Sequence, residues 1–161
     1  MRIYDFSVEG NLTDFPDVPF VFKSGEGGYS CFRIPAIVKT KAGTLLAFAE
    51  GRFGSCDDLG NTDIVMKRSD DDGKTWGDLQ IVWDDSSHRC FYPVPVVEQE
   101  SGRIILMSNW NRGDAGLINI LNQPKEYPLL VYKMQSEDDG KTWTKPENIS
   151  QEVIPKNWAN Y

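Results

Sequence analysis

Apolar residues along this chain gather in short runs rich in β-branched and aromatic types, and Gly, Asp and Pro separate the runs. That is the punctuation of strands rather than helices. Strands are expected at Cys31–Val38, Thr44–Glu50, Asp63–Arg68, Leu79–Trp83, Pro95–Glu98, Arg103–Asn109 and Leu129–Met134. No window of a dozen residues carries an apolar stripe at the 3.6-residue helical period, so the expected fold class is all-β.

The runs also repeat. Pro35-Ala36-Ile37-Val38 leads through Gly43 to an apolar strand, and Pro95-Val96-Val97-Glu98 leads through Gly102 to another. Each unit ends in a hairpin of the same form, Ser69-Asp70-Asp71-Asp72-Gly73-Lys74-Thr75-Trp76 and Ser136-Glu137-Asp138-Asp139-Gly140-Lys141-Thr142-Trp143. Gly43 and Gly102 are 59 residues apart, whereas Ser69 and Ser136 are 67 apart. The difference assigns a longer loop to the second unit, within Trp110–Pro128. Repeats of this length with about four strands each point to β-propeller blades. In the hairpins the Asp71 and Asp138 carboxylates are expected to accept turn N–H groups, Gly to supply positive φ, and Trp76 and Trp143 to cap the gap between sheets. The acidic run Asp70-Asp71-Asp72 lacks the spaced ligands and distal Glu of a calcium loop, and no metal is expected.

Composition narrows the chemistry. Seventeen basic and 24 acidic residues among 161 give a net charge of −7, which argues against a nucleic-acid surface. No apolar run approaches 18 residues, so no membrane span is expected. Met1–Pro19 carries four acidic residues and no apolar core of a signal peptide; a secreted or periplasmic location would require a leader upstream. Cys31, Cys56 and Cys90 are odd in number and scattered, which reads as buried free thiols rather than a disulfide framework. Asn11-Leu12-Thr13 and Asn148-Ile149-Ser150 match the glycosylation sequon, a pattern short enough to recur by chance. His88 is the single histidine, which leaves chemistry to carboxylates, arginines and tyrosines.

Arg33 stands out among these. A guanidinium inside the apolar run Phe32-Arg33-Ile34-Pro35 is costly unless it meets an acid, so it is either a salt-bridged core arginine or a clamp for a ligand anion. The motif Phe32-Arg33-Ile34-Pro35, the two Asp-centred hairpins and Ala47-Phe48-Ala49-Glu50-Gly51-Arg52 together resemble the sialidase (neuraminidase) family over about residues 20 to 150. The resemblance implies a six-bladed β-propeller of which this chain supplies about the first two blades, in units of about 29–90 and 91–150, with the start of a third. Residues 1–19 would be a lead-in and 20–161 a partial propeller domain.

The resemblance also implies roles. Arg33 would grip the sialic acid carboxylate, Glu50 would orient Arg33, and Arg52 would line the substrate pocket. Asp58 would be general acid and then base, with Asp57 as the alternative; without the resemblance, Asp57-Asp58 reads as a solvated acidic loop. Asp57 and Glu50 would raise the pKa of Asp58, and Arg33 and Arg52 would lower it. Trp110 and Asp114, in the long loop, would face the pocket or else lie on a plain surface loop. Tyr92 stands where many members have Asn. The implied activity is that of an exo-alpha-sialidase removing terminal α-linked sialic acids with retention, on sialylated glycans and without a cofactor. The nucleophilic tyrosine, its glutamate and two further clamp arginines belong to later blades, so this chain is expected to be inactive alone. A trans-sialidase would share every motif here, and a non-catalytic glycan-binding or interaction propeller would share the hairpins.

Overall fold

The computed structural model describes residues 20–155. The lead-in 1–19, with its sequon at Asn11, lies outside the described residues, as does Tyr161. Four strands form a first antiparallel meander: β1 (Cys31–Lys39), β2 (Leu45–Arg52), β3 (Thr62–Ser69) and β4 (Gln80–Trp83). A second follows from β5 (Arg89–Val97), β6 (Ile104–Asn111), β7 (Leu130–Ser136) and β8 (Glu147–Asn148). One parallel pairing, Thr62 with Arg89, joins the two. The all-β, blade-like architecture agrees with the sequence pattern. The segment between β6 and β7 also forms a short helix, α1 (Leu117–Asn122), and a last turn of helix, α2 (Ser150–Val153), follows β8.

The β5 strand starts at Arg89, not at Pro95, and the reason lies at its edge. Both β1 and β5 leave one side almost unpaired, so Pro35, Pro93 and Pro95 remove no needed ladder bond. Each strand also carries a bulge, between Arg33 and Ala36 in β1 and between Phe91 and Val94 in β5. Ile34 (φ 51°) and Tyr92 (φ 56°) absorb the turn in the left-handed region. The register therefore matches Pro35 with Pro93 rather than with Pro95. Arg33 then corresponds to Phe91, because Arg33 pairs Glu50 as Phe91 pairs Asn109.

The hairpins are built on their aspartates. In the first, Asp71 accepts from the Thr75 N–H (2.9 Å) and hydroxyl (2.6 Å) and from the Ser69 hydroxyl (2.8 Å). These bonds, led by the Thr75 hydroxyl, hold its carboxyl down at about 2. Asp138 repeats the arrangement with Thr142 and Ser136. The second hairpin also locks the two meanders together. Arg68 of β3 donates to the Asp139 carbonyl and carboxylate, and the Thr44 hydroxyl donates to Asp139 at 2.7 Å. Gly140 sits so close to Leu46 that a Cβ would lie 2.7 Å from its Cδ1. Trp143 meets the edge of Phe48 with ring centres 5.8 Å apart. Trp76 is half-buried and belongs to neither apolar cluster among the described residues. One core runs through both meanders, with Leu46, Phe48, Ile64 and Met66 packed on Ile104, Leu106 and Met134.

The reading of three free thiols is corrected. Cys31 and Cys56 form a disulfide with Cα atoms 5.4 Å apart, and only Cys90 is a buried free thiol. Twenty-five residues separate the partners, and the loop after β2 folds back over the start of β1 to bring them together.

Beneath β2, the buried Tyr29 hydroxyl donates to Asp63 at 2.6 Å. Burial, with Asp84 nearby, pushes the Asp63 carboxyl up to about 6, although the Tyr29 bond opposes the rise. A raised carboxylate stabilises the fold below its unfolded pKa, and that stability is lost as pH rises through 6. Asp63→Asn keeps an acceptor for Tyr29 and removes the titration. It should raise stability at pH 7 relative to wild type by on the order of 1–3 kcal/mol, with little difference at pH 4. Urea denaturation at the two pH values measures this, and an equal change at both would rule out Asp63 as the cause.

Candidate active site

The bulge in β1 turns Arg33 toward the loop that follows β2. Along β2, successive side chains alternate faces, so Glu50 and Arg52 point the same way. Both are buried, Glu50 at 0% and Arg52 at 3% exposure. Glu50 Oε2 accepts from Arg52 Nη2 at 2.5 Å and from Nε at 3.0 Å, and Glu50 Oε1 accepts the Tyr92 N–H at 3.0 Å. Glu50 thus holds Arg52 and the β5 bulge. Glu50 was expected to orient Arg33, but its carboxylate turns to Arg52, its same-face neighbour two residues along, and none of its bonds goes to Arg33.

The other Arg52 arm reaches the loop. Its Nη1 donates to the carbonyls of Cys56 (3.0 Å) and Asp57 (2.7 Å) and to Asp58 Oδ1 (2.7 Å). Arg33 Nη1 donates to the same Cys56 carbonyl and the same Asp58 oxygen, each at 3.1 Å. Two guanidinium groups therefore converge on one carboxylate whose side chain is 73% exposed. Arg52 first, then Arg33 and Arg89, hold the Asp58 carboxyl below the usual range. Asp57 turns away, and its carboxylate accepts the Ser55 hydroxyl at 3.0 Å.

Arg89 was not singled out by sequence reasoning. It is 7% exposed, lies over the Phe91 ring at 4.6 Å, and has a buried Nε with no partner among the described residues. Burial and the nearby Arg52 push its pKa down. Arg33, Arg52 and Arg89 face Glu50 and Asp58, so a chain of net charge −7 carries a locally positive site. Such a site favours an anion.

The remaining candidates lie apart from this cluster. Trp110 Nε1 donates to Asp85 at 2.5 Å, and the ring packs against the core and the edge of His88. Asp114 pairs with Arg112 at 2.7 Å beside a depression lined by Ser87, His88 and Gly113. That depression adjoins the Asp58 loop through the bond from the Gly60 N–H to the Gly113 carbonyl (2.8 Å).

Comparison with known proteins places the fold. Residues 43–159 match the family described as BNR repeat-like domain. The exo-alpha-sialidase of Aspergillus fumigatus is 32% identical over 149 residues, covering 82% of this chain and 36% of that protein. A sialidase of Paraclostridium sordellii is 28% identical over 152 residues, covering 90% of this chain and 37% of that one. The chain thus spans little more than a third of the length of these relatives. Among solved structures, the Hadza microbial sialidase Hz136 superposes with a TM-score of 0.72 at 29% identity, covering 81% of this chain and 28% of its own. The intramolecular trans-sialidase from Ruminococcus gnavus shares the fold, with a TM-score of 0.69 at 15% identity over 84% of this chain and 52% of that one. With its paired Asp-centred hairpins, its blade topology and these relatives, the chain belongs to the sialidase family and carries its BNR repeat-like domain.

Proposed function

We propose that this chain is part of an exo-alpha-sialidase that hydrolyses terminal α-linked sialic acids from glycoconjugates with retention. The observation that carries this reading is the convergence of Arg33 and Arg52 on Asp58. It puts an anion-gripping group and a proton-transfer group side by side at an exposed loop.

Arg33 donates to Asp58 at 3.1 Å. A sugar carboxylate offers Arg33 a fork-to-fork partner and displaces Asp58 from it. Asp58 then loses one of the cations that hold its pKa down, and the sugar shields it from water. Both effects raise its pKa toward that of a working acid. Asp58 then gives its proton to the glycosidic oxygen as the bond to the anomeric carbon breaks, and the leaving alcohol departs neutral. In the second half it takes a proton from the attacking water. Arg52, fixed by Glu50, stays in place and lines the pocket. The resemblance assigns the nucleophile to a tyrosine with a glutamate base, from residues beyond these two blades. A trans-sialidase would use the same steps with a sugar hydroxyl in place of water, and acceptor dependence of product formation separates the two.

Three outcomes follow from these roles. The 161-residue chain alone should not release 4-methylumbelliferone from its sialoside; clear turnover would show that two blades suffice. In the full-length enzyme, Asp58→Asn should reduce kcat by about 10²–10⁴-fold for sialyl-galactosides, whose leaving group needs a proton, and far less for an aryl sialoside. Equal losses would remove Asp58 from the acid role. Glu50→Gln should destabilise the fold by about 3 kcal/mol, because it leaves the buried Arg52 charge short of an acid. A change below about 0.5 kcal/mol in chemical denaturation would show that Asp58 alone neutralises Arg52.

A further inference from the structure

We infer that the Cys31–Cys56 disulfide is a positioning device that holds the Asp58 loop beside the β1 segment carrying Arg33. The inference rests on the proposed acid role of Asp58 and adds to it the covalent part of the site. Cys31 lies two residues before Arg33 on β1, and Cys56 lies two residues before Asp58 on the loop. The bond therefore joins the two segments that carry the clamp and the acid.

The loop has few other ties. Between Phe53 and Gly60, the backbone N–H of Ser55 bonds only within the loop, to Phe53, and Gly60 reaches across to Gly113. Asp57 is held to Ser55. The Phe53 N–H closes the base of the loop on the Asn61 carbonyl at 3.2 Å; at its tip, residues 56–58 are held by the arginine contacts to Cys56, Asp57 and Asp58 and by the disulfide. The Asp58 carboxylate is 73% exposed and Arg33 is 42% exposed, so their ion pair alone is a weak tether. Once a sugar carboxylate takes Arg33, that tether is gone during turnover. The disulfide then keeps residues 56–58 beside β1, with Arg52 as the remaining noncovalent hold.

The second blade supports this reading by contrast. Register places Arg89 where Cys31 sits and Asn111 where Arg52 sits. The corresponding loop, residues 112–129, has no covalent tie to β5 and carries the helix α1 instead. The staple thus occurs in the blade that carries the candidate acid. Its presence also implies maturation in an oxidising compartment.

The test compares the full-length protein with its Cys31→Ser/Cys56→Ser variant. Deuterium uptake by amides 54–60 should quicken by about tenfold in the variant. The kcat for a sialyl-galactoside should fall on the order of 10²-fold, because a 1 Å misplacement of a catalytic group has that effect. KM should change little, since Arg33 stays on β1, and an aryl sialoside should suffer less than the galactoside. A disulfide that only stabilises the fold would lower Tm and leave both the uptake of 54–60 and the leaving-group ratio unchanged, which would overturn the inference. If neither protein turns over a sialoside, the sialidase reading fails, and the uptake of 54–60 alone decides whether the loop is stapled. Where the double variant does not fold, Cys56→Ser alone replaces the exposed partner, leaves buried Cys31 in place, and is read the same way.

Discussion

A guanidinium group taken out of water must be met by acid, and at Arg52 that requirement shapes everything around it. Its charge is buried to 3% exposure against a fully buried Glu50. Neither group would be tolerated alone, because a buried unpaired charge destabilises by several kcal/mol. The pairing in turn fixes the β5 bulge through the Tyr92 N–H and gathers the Cys56–Asp58 turn onto the free arm of Arg52. The exposed acid of the site thus stands on a buried ion pair, which ties the loop down without covering its carboxylate.

The two blades show how one backbone plan carries different chemistry. Both β1 and β5 bend at a positive-φ residue before a proline, Ile34-Pro35 and Tyr92-Pro93. Where the first blade has Arg33, Glu50 and Arg52, the second has Phe91, Asn109 and Asn111 in the same register. The second blade contributes instead through its edges. Arg89 adds charge beside Arg52, and the Asp139 turn ties the second hairpin to Arg68 and Thr44 of the first. The shared core that follows makes the pair of blades one packed unit.

Much of this was legible in the sequence. The strands, the repeat and the Asp hairpins were readable because each rests on local rules: alternation, turn glycines, and a carboxylate within reach of its own turn. Arg33 was visible as a charge out of place in an apolar run. The proline-bearing start of β5 was not, since the unpaired edge that excuses Pro93 and Pro95 is a property of the sheet. The Cys31–Cys56 bond was hidden for a similar reason: only the fold-back of the loop after β2 brings the two thiols together. The partner of Glu50 was likewise a matter of side-chain direction. Arg33 lies opposite it on the neighbouring strand, yet Arg52, two residues along its own strand, takes the carboxylate.

The role proposed for Arg33 is to exchange Asp58 for a substrate carboxylate. The most direct measurement is a crystal structure of the full-length protein with a sialoside bound to the Asp58→Asn variant. The sugar carboxylate should lie within hydrogen-bond distance of the Arg33 guanidinium, with residue 58 released from Arg33 and facing the glycosidic oxygen. A sugar bound with its carboxylate elsewhere, or with residue 58 still bonded to Arg33, would contradict it.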